Sequence, residues 1–387
     1  MSTDRSHHIG GLLLIAVTMA LAAQLTSTAA AASRPAAAAL AAATTDATVR
    51  PSTAAKLQSI LDEQRNLRHI PGIAAAMIFP DGSIWNAGSG YAQFNTDELA
   101  TPKTPFVVAS ITKTFVTAAI MQLADEGKLS IDDPLSNWLP GYPNAVDITL
   151  RELLAHTSGV FNYLQYPGFN RIVFKKNAGH FWTPQEILDT FAHAPNFAPG
   201  EGFHYSNTGF ILLGLVIEAV TGQALGDVFA QRFFIPLGLN NTYFQGSGPP
   251  PSSAAQGYGF VKGVYKEWSD GSSYRPGISG ATVSWSAGAI ASSARDIAKW
   301  CAALYGGHVV SAKALSEMEA YTNWYGLGTW TRVHSGRRMF GHIGSFHGFD
   351  AAMWYYPSTG LTVVVLTNLA NISANPIADA LADAVQG

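Results

Sequence analysis

The sequence predicts a mixed α/β fold of the α+β kind, with one sheet assembled from the two ends of the chain and a helical lobe inserted between them. Three observations carry that expectation. Near the N-terminal end, Gly72-Ile-Ala-Ala-Ala-Met-Ile-Phe79 reads as a strand, Pro80-Asp81-Gly82 as a turn, and residues 83–88 as a returning strand. Near the C-terminal end, residues 345–356 and 361–367 read as two strands around the turn Pro357-Ser-Thr-Gly360. Between them, residues 129–280 show mostly short helical patterns and loops.

The elements follow in order. Arg5, a short apolar run over 9–23 and the small residues over 27–33 read as a Sec signal peptide, residues 1–32, with a cleavage site near Ala30 or Ala32. An uncleaved N-terminal anchor is the competing reading. Residues 33–52 are Ala/Thr-rich and read as a disordered spacer, leaving 53–387 as the folded domain. Residues 51–67 have helical spacing, with Leu57, Ile60, Leu61 and Leu67 on one face. A helix starts near Ser110, with Ile111, Phe115, Ala119 and Leu123 four apart and Gly127 as its C-cap. Short helices are expected over 150–154 and 184–191, and a strongly apolar one over 208–220. Pro249-Pro-Pro breaks the chain, and the Gly/Tyr/Ser-rich stretch after it reads as an exposed, adaptable loop. Helices over 293–304 and 376–385 complete the pattern.

Composition excludes several functions. The net charge is only -3 over 387 residues, so there is no electrostatic case for nucleic acid. One cysteine, Cys301, permits no internal disulfide. No His-Glu-x-x-His or comparable spacing points to a metal, and neither a P-loop nor a dinucleotide fingerprint points to a cofactor. After signal cleavage no apolar run is long enough to span a bilayer.

Three short motifs carry chemistry. Ser110 and Lys113 are three apart at a helix start, hence on one face, and this is the only Ser-x-x-Lys in the chain. A serine hydroxyl needs a base, and a lysine becomes one only when burial or nearby charge lowers its pKa. The apolar flanks Phe106-Val-Val108 and Phe115-Val116 would bury Lys113. Tyr205-Ser206-Asn207 precedes the apolar helix; a tyrosine there can relay a proton, and an asparagine amide can donate to and accept from substrate. His342-Ile343-Gly344-Ser345 precedes an expected strand; Gly344 lets substrate approach the backbone, and the Ser345 amide can pair with that of Ser110 as an oxyanion hole. The competing structural readings are an N-capping serine with a surface lysine, a helix cap at Ser206 or Asn207, and a satisfied structural histidine.

Together with Leu150-Arg-Glu-Leu-Leu-Ala-His-Thr-Ser-Gly159, Pro199-Gly-Glu-Gly202 and Gly341, these motifs resemble the class C β-lactamase and D-alanyl-D-alanine carboxypeptidase family, over about residues 57–381. The His-x-Gly form is most similar to the secreted actinobacterial carboxypeptidase branch. The resemblance implies a β-lactamase/transpeptidase-like fold: an antiparallel sheet with helices on both faces, an all-helical lobe, and a site between them. It implies Ser110 as nucleophile, Lys113 as its partner base and Tyr205 as proton shuttle. Asn207, His342, Gly344 and Ser345 would bind substrate. The substrate would be a small molecule or peptide, cell-wall peptide or β-lactam among them, acted on by a secreted monomer without cofactor. Two positions depart from the pattern. Ile343 replaces the usual threonine that helps hold a substrate carboxylate. The arginine expected after Tyr325-Gly-Leu-Gly328 is absent, with Arg332 the first substitute. The family's esterases and D-amino-acid amidases need no carboxylate contact, so a broad esterase or amidase is the alternative. A catalytically inactive peptidoglycan- or β-lactam-binding protein is the alternative of another class.

Overall fold

The computed structural model describes residues 48–321 and 324–386. The expected signal peptide and residues 33–47 of the expected spacer lie outside them. Residues 48–52 are ordered rather than spacer: Thr48 bridges Ile84, and Pro51 opens helix α1 (Pro51–Leu67). Proline suits a first helical turn, where its missing N–H would have had no partner.

A seven-stranded antiparallel sheet joins the two ends of the chain. It is built from β1 (Gly72–Ile78), β2 (Ile84–Gln93), β3 (Glu98–Leu99), β9 (Trp330–His334), β10 (Arg337–Phe346), β11 (Phe349–Tyr356) and β12 (Leu361–Thr367), in the order β3-β2-β1-β12-β11-β10-β9. The register sets Ile73 opposite Thr367 and Asp350 opposite Thr367 on its other side. Alternation along these strands feeds two cores. Ile73, Ala75, Met77, Val363 and Val365 face α1 and the C-terminal helix α10 (Asn375–Gln386), meeting Leu57, Leu61 and Leu381. Ala74, Ala76, Val364 and Leu366 face helix α8 (Ala294–Tyr305) and the larger core beyond it. Both faces of the two central strands are therefore buried, which explains their near-continuous apolar run.

The rest of the large core packs around α2 (Thr112–Asp125), α5 (Asn207–Thr221) and α7 (Ile278–Gly288). Phe115 of α2 stacks on Trp300 of α8 at 3.8 Å between ring centroids. Helices α3 (Leu150–Leu154) and α4 (Pro184–Thr190) start at reciprocal capping boxes, Thr149 with Glu152 and Thr183 with Glu186. Helix α5 ends at Gly222, whose φ of 65° lets it take the left-handed cap.

The structure differs from expectation in the middle and near the C-terminus. The stretch expected as helix and loop holds β5 (Thr242–Phe244) and a hairpin, β6 (Gly257–Val261) with β7 (Val264–Trp268). Strand β5 pairs with β8 (Ile290–Ser292), which also pairs with β4 (Phe106–Val107). Helix α7 crosses residue 280, where the lobe was expected to end. The single expected strand over 345–356 is two, β10 and β11, folded back at His347 and Gly348, which both take positive φ. His342 to Ser345 therefore lie inside a strand rather than before one. Among the described residues no single helix is long and apolar enough to cross a membrane.

Candidate active site

Ser110 stands on a tight turn, Ala109–Ile111, that leads into α2. Ala109 takes φ 46°, a left-handed conformation that costs a β-carbon residue about 1–2 kcal/mol. The turn is pinned to β8 on both sides: Val108 N donates to Ile290 O at 3.0 Å, and Ile290 N donates to Thr112 Oγ1 at 3.1 Å. Strand β10 lies directly against it. A β-carbon on Gly344 would sit 2.1 Å from Val108 O. Sequence reasoning assigned that glycine to substrate approach. In the structure it admits the protein's own nucleophile turn.

Lys113 is fully buried one turn into α2. Its Nζ lies 3.1 Å from Ser110 Oγ, 2.7 Å from Asn207 Oδ1 and 2.8 Å from Ala287 O. Burial pushes its pKa well below the ordinary lysine value. Two of the three neighbours accept only, so they take two N–H groups. The third tetrahedral position points at Ser110. A neutral amine has its lone pair there and can accept the serine proton. The orientation of Asn207 follows from Asn162. Asn162 Oδ1 takes the N–H groups of Leu164 (3.3 Å) and Asn207 (3.2 Å), so it is the oxygen. Asn207 Nδ2 then donates to that same oxygen at 3.1 Å, which turns Asn207 Oδ1 to Lys113.

Tyr205 lines the same cleft as Ser110, and burial raises its pKa and keeps the phenol protonated. Its ring lies over Lys113 Nζ at 5.0 Å and against His156 at 4.1 Å. Lys113 is thus driven toward its neutral form and Tyr205 away from phenolate. His342 is also fully buried, and burial together with Lys113 lowers its pKa to about 3.

The edge of β10 completes the site. Thr331 Oγ1 donates to Met339 O and Thr329 Oγ1 to Gly341 O, so the odd-numbered residues of β10 turn their backbone groups toward the β9 side. Pairing with β9 stops at Gly341 opposite Trp330. Ile343 and Ser345 consequently present amide and carbonyl groups to an edge with no strand on it, beside the Ser110 turn. Ser345 sits opposite Asp350 in the β10–β11 register, and burial raises the Asp350 carboxyl pKa to about 7.

The resulting cleft encloses about 280 Å³ and is lined by Ser110, Tyr205, Asn207, His342, Ile343 and Ser345, with Tyr163, Leu164, Trp330 and Phe346 as apolar walls. The structure thus brings together Ser110, Lys113, Tyr205, Asn207, His342, Gly344 and Ser345. It does not bring Arg332. That side chain shares a sheet face with Met339, pairs with Asp379 of α10 and stacks on Trp354 at 4.9 Å. Held there, it does not line the cleft. Arg337 reaches Gln386 O at the same end of the molecule. Among the described residues no Asp, Glu or Arg lines the cleft. Among the same residues no cluster of His, Cys, Asp or Glu could hold a metal ion. A larger cavity of about 820 Å³ lies in the helical part, shares only the Tyr163 wall and contains none of the expected site residues. Sequence reasoning missed Asn162, Tyr163, Trp330 and the Ala287 carbonyl. For Asn162 the only signal was its place three residues after the His-Thr-Ser-Gly stretch.

The chain resembles known proteins in sequence and fold. The beta-lactamase family profile matches residues 57–386. Penicillin-binding protein 4* of Bacillus subtilis is 28% identical over 308 residues, 74% of this chain and 65% of its own length, so the chain spans under two-thirds of that relative. The crystal structure of D-amino acid amidase from Ochrobactrum anthropi SV3, complexed with L-phenylalanine amide, superposes with a TM-score of 0.75 at 27% identity, covering 87% of this chain and 99% of the amidase. A D-stereospecific amidohydrolase from Streptomyces sp. gives 0.73 at 28%, covering 84% and 96%. The family match covers nearly the whole described chain, and the protein belongs to the beta-lactamase family, whose fold is that of serine hydrolases.

Proposed function

We propose that the protein is a serine hydrolase that cleaves uncharged ester or amide bonds through an acyl-enzyme on Ser110. The observation that carries this reading is the 3.1 Å contact between Ser110 Oγ and a buried amine whose other two near neighbours are pure acceptors. Ser110 Oγ attacks the substrate carbonyl while its proton passes to Lys113 Nζ. The amides of Ser110 and Ser345 hold the developing oxyanion, helped by the positive end of α2. Tyr205 gives its phenolic proton to the departing oxygen or nitrogen and is reprotonated by Lys113. Water then attacks the acyl carbonyl, loses its proton to the same pair, and Ser110 leaves with a proton restored.

The cleft supports neutral substrates. A carboxylate would find no arginine, since Arg332 is committed to Asp379, and Ile343 offers no hydroxyl. An α-ammonium would find no carboxylate lining it. Desolvating either charge without a partner is unfavourable by several kcal/mol. The amidase and amidohydrolase likenesses support amide as well as ester chemistry. Export through the 1–32 signal peptide belongs to the same reading, and the short apolar run over 9–23 supports it.

A fluorophosphonate probe tests the nucleophile: it should label the protein and not Ser110→Ala. Undiminished labelling or turnover in that variant would sink the assignment. A panel of p-nitrophenyl acetate, a D-phenylalanine amide, a chromogenic cephalosporin and a D-Ala-D-Ala peptide tests the substrate class. The neutral ester should be turned over at least as well as the two carboxylate substrates.

A further inference from the structure

Tyr325 has no part in the chemistry above, yet its hydroxyl lies 3.2 Å from His342 Nε2 inside the protein. The other ring nitrogen, Nδ1, is 2.5 Å from the carbonyl oxygen of Ile343. A carbonyl only accepts, so Nδ1 carries the hydrogen. The neutral ring then has a lone pair at Nε2, and Tyr325 is its donor. Burial keeps that phenol protonated. Its ring is held edge-on by Trp330 and tilted against His156, each at 4.7 Å. Both imidazole nitrogens are spent within the protein, and none is left for the cleft.

We propose that Tyr325 is a positioning residue whose hydroxyl locks His342 as the neutral Nδ1–H tautomer. His342 is then an uncharged wall of the cleft, not a proton carrier or a carboxylate anchor, and adds no positive charge beside Lys113. The titratable groups facing His342 are Lys113 from α2, Tyr205 from the segment before α5, Tyr325 from the segment before β9, and His156 from the end of α3. None is acidic, so nothing there draws a proton onto the ring. A donor bond to Nε2 favours the neutral form, and removing it makes the ring more basic. The lock deepens the proposed function by explaining why the site favours neutral substrates; its role beside Lys113 rests on that reading, whereas the tautomer does not.

The test is nitrogen-15 histidine labelling of the full chain, with long-range proton–nitrogen spectra from about pH 5 to about pH 8, the range in which an ordinary histidine titrates. The signals of His342 are identified among the 11 histidines by their loss in His342→Gln. The wild-type ring should show the Nδ1–H pattern, unchanged across the range. Tyr325→Phe should show mixed tautomers or titration, and the acid limb of its kcat/KM for p-nitrophenyl acetate should move up by about one pH unit. A wild-type Nε2–H tautomer, or a protonated ring near neutrality, overturns the proposal. So does a folded Tyr325→Phe whose spectra and pH profile match wild type. If that variant does not fold, the wild-type tautomer decides alone. Failure of the wild type to hydrolyse any ester would overturn the proposed function and leave the tautomer result standing.

Discussion

Gly344→Ala perturbs the cleft without removing any of its polar groups. A β-carbon there would lie 2.1 Å from Val108 O and 3.2 Å from Ala109 Cβ, whereas real β-carbons stay beyond 3.0 Å. One side must retreat by roughly 0.9 Å, given how little a packed interior yields. The Val108 side is held by its bond to Ile290 and by Thr112, so the movement falls on β10. That movement draws the Ser345 amide away from the Ser110 amide. A misplacement of about 1 Å costs on the order of 100-fold in rate, or roughly 2.7 kcal/mol of transition-state stabilisation. Overpacking itself should cost about 1–3 kcal/mol of stability. The assay is kcat/KM for p-nitrophenyl acetate beside urea unfolding of the same preparation. The expected result is a folded protein with about a 100-fold loss, mostly in kcat. A folded variant within about threefold of wild type would refute the argument that contact between β10 and the Ser110 turn sets the oxyanion geometry.

Lys113→Met should slow acylation by about three orders of magnitude or more, measured by stopped-flow labelling with a fluorophosphonate; retention of most of the rate would remove Lys113 as base. Ile343→Thr should raise kcat/KM for the cephalosporin and the D-Ala-D-Ala peptide about tenfold and leave the neutral ester unchanged, matching one hydrogen bond to a charged group; an equal gain on all substrates would contradict it. Asp350→Asn concerns stability. The folded carboxyl titrates near 7 against an ordinary 3.8, so the native state holds the proton more tightly than the unfolded chain. Its stabilisation is full below the unfolded pKa and is lost as pH rises through about 7, a loss of up to roughly 4 kcal/mol. The amide introduced by that substitution cannot ionise, so urea midpoints of the variant and wild type should converge near pH 4 and separate, variant higher, near pH 8; parallel pH dependences would show that Asp350 does not titrate this way.

Some of this was legible in the sequence because local rules decided it. Ser110 and Lys113 share a helix face by spacing alone, and β1 and β2 are joined by a Pro-Asp-Gly turn of ordinary chemistry. Residues 337–346 were not legible as a strand: two arginines, His342 and two glycines interrupt the apolar alternation, and the glycines are there because Met353 O and Val108 O crowd their positions. The reversal at His347-Gly348 lacks the Asn-Gly or Asp-Gly signal. Helix α7 was hidden by its small residues, which suit its tight packing against α2 and α5. Arg332 was misplaced because the partners that hold it, Asp379 and Trp354, lie 47 and 22 residues away in sequence and only the fold brings them to it. Asn162 reaches Asn207 across 45 residues, and only the fold brings such partners together.

The pairing of Ile73 with Thr367 also governs how the chain acquires its structure. The partner of β1 lies 294 residues downstream. At about 5–20 residues per second of synthesis, β1 and β2 wait roughly 15–60 s for β12 to exist. During that interval the apolar Gly72–Ile78 strand has an open edge, the kind of surface that pairs with other chains. Helices α2 and α5 can meet earlier, whereas the sheet is a late and high-contact-order event. Loss of even the last strand would leave the assembled helices without the sheet they pack on, and would expose to aggregation a strand at the far end of the sequence.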